Sequence, residues 1–146
     1  MLHRALFVFL LAFVAGACST VRTPEIMDAS RFRGIRTAYV VKDERSKKGI
    51  EVALQTALAK RGIRARYGRL EYKPTDADIY LTFVDHWRWD VTMYLKSLDV
   101  SIYNNRTDEL IGSGSFRNSF LHSFPDPVEK VQEVVDSIFE AAKTRN

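Results

Sequence analysis

The stretch "DIYLTFVDHWRWD", residues 78–90, decides the fold. Ile79, Leu81, Phe83, Asp85, Trp87 and Trp89 share one parity, and Tyr80, Thr82, Val84, His86 and Arg88 share the other. A period of two is the signature of a strand, whose successive side chains point to opposite faces. The apolar first half of the odd set predicts one face turned to a core. "VTMYLKSLDVSIYNN", residues 91–105, continues as a second strand, with its register expected to shift at a bulge around Lys96 and Ser97. "NNRTDE" reads as a turn, and "LIGSGSFRNSF", residues 110–120, as a third strand whose two glycines mark a bend. Strands joined by short turns form an antiparallel meander.

Upstream, "IRTAYVVKD" from Ile35 is rich in β-branched and aromatic residues and reads as a strand. Ile50, Ala53, Leu54, Ala57 and Leu58 then recur at helical spacing. Ser46 is the expected cap and Gly62 the expected stop, so a helix is predicted over Ser46 to Arg61. "GIRARYG" alternates again, with Arg64 and Arg66 on a solvent face, and "RLEYKPTDA", residues 69–77, reads as a loop. At the C-terminus, Asp126 and Pro127 begin a helix whose stripe is Val128, Val131, Val134, Val135, Ile138, Phe139 and Ala142. The order is β-α-β, then a β meander, then α. Each helix has one apolar face to bury. The simplest solution is an α+β two-layer domain: a mixed four- or five-stranded sheet with both helices on one face.

The N-terminus reads "MLHRALFVFLLAFVAGAC". Arg4, an apolar run from Ala5 to Val14, and the small residues Ala15, Gly16 and Ala17 have the layout of a secretory signal peptide. The run is shorter than the roughly 20 residues of a membrane span. Cys18 is the chain's only cysteine, so no disulfide forms within the chain. "AGAC" resembles the lipobox of bacterial lipoproteins, with Ala15 where that pattern usually has leucine. The resemblance implies a signal peptide at 1–17, removed before a lipidated Cys18. Ser19, rather than aspartate, follows the cysteine, which by the same resemblance implies the outer membrane, facing the periplasm. Residues 18–30 are expected to be a flexible tether and 31–146 a single folded domain.

Composition of the rest argues against catalysis. In "DHWRWD", His86 points away from Asp85 and Trp87 in a strand, and the sequence offers no second histidine at a metal-site spacing. "GSGS" at residues 112–115 lacks the spacing of a nucleophile elbow and the lysine of a phosphate loop. There is no cofactor fingerprint. Two candidate patches remain. Trp87 and Trp89 form an aromatic one, of residue types common in binding hot spots. Charge supplies the other: residues 31–73 carry thirteen Lys and Arg against four Asp and Glu, whereas residues 74–146 carry seven against twelve. Arg61, Arg64, Arg66 and Arg69 sit in the basic part and are candidates for anionic lipid, lipopolysaccharide or an acidic envelope protein. Nucleic acid, the usual partner of such a patch, is not expected for an exported chain.

Taken together, "GAC", "AYVVKD", "LAKRGI", "TDADIYLTF", "LDVSIYNNRTDELIGSGS" and the final amphipathic helix resemble small bacterial envelope lipoproteins of unassigned function. The element order is similar to that of auxiliary lipoproteins of envelope transport systems and of the lipopolysaccharide-assembly lipoprotein. This resemblance implies an address and an architecture, and no catalytic residue. The expected function is that of a non-enzymatic, lipid-anchored accessory or interaction module at the periplasmic face of the outer membrane. The alternative is a lipoprotein that binds lipid or glycan on a sheet face near Trp87 and Trp89.

Overall fold

The computed structural model describes residues 20–46, 48–119 and 124–145. The signal segment and Cys18 lie outside these residues. The elements are β1 (Thr20–Ile26), β2 (Thr37–Val41), α1 (Ile50–Lys60), β3 (Arg64–Gly68), β4 (Ile79–Trp89), β5 (Met93–Asn104), β6 (Leu110–Arg117) and α2 (Pro127–Thr144), with single 3₁₀ turns at Ala29–Phe32 and Leu70–Tyr72. The sheet has six strands in the order β1-β6-β5-β4-β2-β3. Strand β2 runs parallel to both β3 and β4, and the β4, β5, β6 and β1 pairings are antiparallel. The two-layer α+β arrangement with both helices on one face is the one expected.

The extra strand comes from the segment expected to be a tether. Residues 20–26, "TVRTPEI", pair with β6 from Thr20 opposite Arg117 to Ile26 opposite Gly112, with a register shift around Pro24. Their apolar content is too sparse to declare a strand. An open edge of β6 supplies the hydrogen bonds instead, and proline is tolerated because β1 is itself an edge strand.

On the helix-facing side, Val40, Ile79, Leu81, Leu95, Leu98, Val100, Ile102 and Phe116 are fully buried against Leu54 and Leu58 of α1 and Val131, Val134 and Ile138 of α2. The expected bulge is present: His86 faces Ser97 but Trp87 faces Leu95, which leaves Lys96 as the extra residue. The slip changes parity, so both Leu95 and Leu98 point into the core. The β5–β6 register shifts at Ile111, beside the first glycine of β6, and both glycines there have a packing role. A Cβ on Gly114 would stand 2.7 Å from Ile138 Cγ1, and one on Gly112 would stand 2.8 Å from Phe32 Cζ. They are the places where α2 and the first 3₁₀ turn press onto the sheet.

Helix α2 starts as expected, with the Asp126 carboxylate accepting from the Val128 amide at 2.8 Å and Pro127 in the first turn. Helix α1 ends as expected too. Gly62 is left-handed at φ 79°, its amide donates to Ala59 O, and the Ile63 amide donates to Leu58 O. Those two bonds satisfy carbonyls the helix itself cannot. The start of α1 differs from the expectation. The helix begins at Ile50 after Gly49, which is left-handed at φ 73°, and Ser46 does not cap it. Ser46 is held in the preceding loop by a contact that no local rule reveals.

Candidate functional site

That contact builds one of the two grooves of interest. The Ser46 hydroxyl donates to Asp85 Oδ2 at 3.0 Å, and the Trp87 indole N–H donates to the same oxygen. Asp85 and Trp87 share a parity on β4. Lys48 Nζ lies 5.9 Å from the Trp87 ring centroid, within cation–π range. Asp43 closes the rim. The Arg45 guanidinium, then its amide, hydrogen-bond to the Asp43 carboxylate and hold it below the usual carboxylate range. The groove so lined has a volume of about 330 Å³.

Its chemistry is that of a structural knot. Asp85 Oδ2 is already shared by two donors, and the exposed His86 lines the same groove from the neighbouring position on β4. The Asp85 carboxylate is thus engaged by Ser46 and Trp87 rather than by His86. Among the described residues, no group of three or more His, Cys, Asp or Glu is placed to hold a metal ion. Nor is any helix there long and apolar enough to cross a membrane.

The tryptophan pair divides. Trp87 is half-buried and packed against the core, tied by its N–H to Asp85. Trp89 is 75 % exposed at the tip of the β4–β5 hairpin, opposite Met93.

The four arginines divide as well. Arg61 closes α1 onto α2. Its guanidinium contacts Asp136 at 2.7 Å and Glu140 at 3.0 Å, and lies 4.8 Å from the Phe139 ring centroid. It is an interhelical clamp with a side chain only 23 % exposed. Arg69 is shared between Glu71 at 3.2 Å and Glu44 at 3.5 Å. Arg66 is exposed and 3.5 Å from Asp76. Arg64, also exposed, stands opposite Thr37 at the far end of edge strand β3. The basic half of the sequence is thus not one surface.

A different set of cations does gather. Arg31, Arg33 and Arg106 line a groove of about 440 Å³ together with Asp76 and Asp78. It lies between the first 3₁₀ turn, the 74–78 loop and the β5–β6 turn, at the same end of the sheet as Arg64. Asp78 ties that end together by accepting the Arg36 and Thr37 amides and the Thr37 hydroxyl, each at 2.9 Å. Burial alone would raise its carboxyl. The amide and hydroxyl donors and the Arg36 charge outweigh burial and hold it below the usual value. Sequence reading missed this grouping because Arg31 and Arg33 come from one turn and Arg106 from another, far along the chain. The only available signal was the excess of arginine on either side of the β2 segment.

The fold and these sites define a small two-layer α+β domain with an aromatic hairpin tip at one end and arginines at the other. No protein-family model matches the chain, and no curated protein matches it in sequence. Solved structures do match in shape. The dodecamer of a PelC point variant from Paraburkholderia phytofirmans superposes with a TM-score of 0.60 at 16 % identity, covering 82 % of this chain and 97 % of that one. A second crystal form of the PelC dodecamer from the same organism gives 0.59 at 14 % identity over the same shares. A minor lipoprotein from Acinetobacter baumannii superposes more loosely, at 0.32 and 11 % identity, covering 76 % and 89 %. At these identities the likeness to PelC is one of fold.

Proposed function

We propose that this chain is a non-enzymatic lipoprotein of the cell envelope, anchored through Cys18 in the periplasmic leaflet of the outer membrane, whose domain acts by binding other envelope components. The observation that carries this reading is the junction between leader and fold. The lone cysteine closes an apolar leader with small residues before it, and the first strand begins two residues later at Thr20. A cysteine at that point in the sequence is well placed for an anchor.

The geometry bears on the choice between anionic partners. Thr20 is level with Arg117, Ser97 and His86 across the sheet, whereas Arg64 is level with Thr37, next to the Ala38–Ile79 pair. Eight residues of strand β4 and its approach separate the two levels, roughly 25 Å at a strand's rise. Physiological salt screens charge over about 8 Å. With the anchor at the Thr20 end, Arg64 and the Arg31, Arg33 and Arg106 groove face away from the bilayer. An acidic protein surface in the periplasm is therefore favoured over lipid head groups as their partner. The fold likeness to a dodecamer supports a second component of the reading, that copies of this domain assemble with one another.

The test is fatty-acid labelling of the full chain and of Cys18→Ser, followed by fractionation. Label and membrane association are expected in the first and absent from the second. Equal incorporation in both refutes the anchor. Light scattering on the detergent-extracted protein tests assembly, and a monomer at all concentrations refutes that component.

A further inference from the structure

The anchored end of the domain carries a cluster of exposed apolar side chains. Beyond the level of Thr20 the β4–β5 hairpin continues by three residue pairs, from His86 to Trp89, about 10 Å at a strand's rise. At its tip Trp89 is 75 % exposed, Val91 83 % and Met93 40 %. Phe124, packed edge-on against Tyr94 with centroids 5.7 Å apart, is 49 % exposed, and Val128 in the first turn of α2 is 50 % exposed. Val128 belongs to the helical stripe by sequence but is not buried with the rest of it. The same end of the molecule thus receives the end of β6, the start of α2 and the chain arriving from Cys18. The opposite end of α2 is marked by Arg145, whose guanidinium donates to Ile26 O at 3.1 Å.

Cys18 lies two residue steps before Thr20, a span of at most about 7 Å. A lipidated cysteine therefore enters the bilayer no further from the sheet than the hairpin tip extends. No slack remains to hold Trp89, Val91 and Met93 clear of the surface. We propose that this tip is a second membrane contact: Trp89, with Val91 and Met93 beside it, inserts into the interfacial region of the leaflet that holds the Cys18 lipid. This rests on the lipoprotein reading of Cys18. Tryptophan prefers that interfacial depth, and an acyl anchor plus an apolar wedge is a two-signal attachment. The charges around the tip are mixed. Arg45, Lys48 and Arg88 are exposed there, but so is Glu44, and Asp90 sits in the turn itself. Asp90 limits the depth to the head-group boundary, and the balance of signs makes insertion an apolar effect that salt does not screen. The contact fixes the orientation of the domain and directs the arginine groove into the periplasm.

The experiment uses the full chain, purified from membranes and reconstituted into phosphatidylethanolamine and phosphatidylglycerol vesicles. Trp87→Phe leaves Trp89 as the sole tryptophan. Its emission is expected to be blue-shifted, strongly quenched by lipids brominated near the head of the acyl chain, weakly quenched by aqueous iodide, and unchanged at high salt. The Trp89→Phe protein, which reports Trp87 alone, is expected to show little quenching by brominated lipid. Mass spectrometry of the mature N-terminal peptide runs alongside. An acylated protein that floats with the vesicles while Trp89 stays open to iodide overturns the membrane contact and leaves the anchor standing. Trp89 shielded from both quenchers means that another copy covers the tip, which also overturns it. An unacylated Cys18 overturns the anchor and the contact together.

Discussion

Replacing Gly114 by alanine puts a methyl group where a hydrogen was, at the tightest point between sheet and helix. The new Cβ would stand 2.7 Å from Ile138 Cγ1, 2.9 Å from its Cδ1 and 3.3 Å from Val134 Cγ1. Carbon atoms rest at about 3.5–4.0 Å, so all three contacts are compressed. Neither partner is the free end of a flexible side chain: Ile138 and Val134 are fully buried and β-branched. Overpacking of this kind costs about 1–3 kcal/mol. Alanine recovers about 0.5–1 kcal/mol of the chain entropy that glycine loses. The expected net loss is about 1–2 kcal/mol, a fall in melting temperature of about 4–8 °C for a domain of this size. Urea denaturation followed by circular dichroism is expected to show a lower midpoint with an unchanged slope. Gly114→Val should lose more. Truncating the clashing partner separates overpacking from a loss of strand propensity. Ile138→Ala alone costs about 2–5 kcal/mol, and in the Gly114→Ala background it should cost about 1 kcal/mol less. A Gly114→Ala protein as stable as the parent, or strict additivity in the double mutant, refutes the close approach of α2 to β6.

The Arg61 clamp makes a smaller prediction. Arg61→Met keeps the aliphatic stem over Phe139 but removes both ion pairs and the cation–π contact. Asp136 and Glu140 are themselves 43 % and 59 % exposed, so solvent screening reduces the pairs to a few tenths of a kcal/mol each. With the aromatic contact the total is about 1 kcal/mol by denaturation at low salt, and less at high salt; a difference independent of salt means packing, not charge, is what Arg61 supplies. Asp78 makes a pH prediction. Its folded carboxyl titrates below the unfolded value of about 3.9, so its stabilisation is fully present above that pH and is lost as pH falls through the folded value. Asp78→Ala is therefore expected to lower the denaturation midpoint at neutral pH and to converge on the parent at strongly acid pH. A gap of constant size down to the acid limit means that the amide bonds of Arg36 and Thr37 do not favour the charged carboxylate.

Periodicity alone determined most of the architecture. The alternation from Ile79 to Phe83, the stripes of both helices, the cap at Asp126, the stop at Gly62 and the bulge at Lys96 are local patterns. The sequence contains them because a half-buried element must repeat its apolar residues at its own period. Strand β1 was invisible for the complementary reason. An edge strand is held by backbone hydrogen bonds to a neighbour, and those leave no mark on side-chain composition. The loss of Ser46 as a cap belongs to the same kind of fact, since its partner Asp85 lies thirty-nine residues away. The close packing at the glycines of β6 was hidden because a missing side chain does not say what occupies the space. Only the packed helix shows that Ile138 does. The sites divided along the same line. Residue type marked Trp89 and the arginines as candidates, but type does not encode neighbours. Tertiary structure turned Arg61 into a clamp and tied Trp87 to Asp85. It drew Arg31, Arg33 and Arg106 to one end of the sheet and left Trp89 exposed at the other, because only the folded chain sets the distance between residues far apart in sequence.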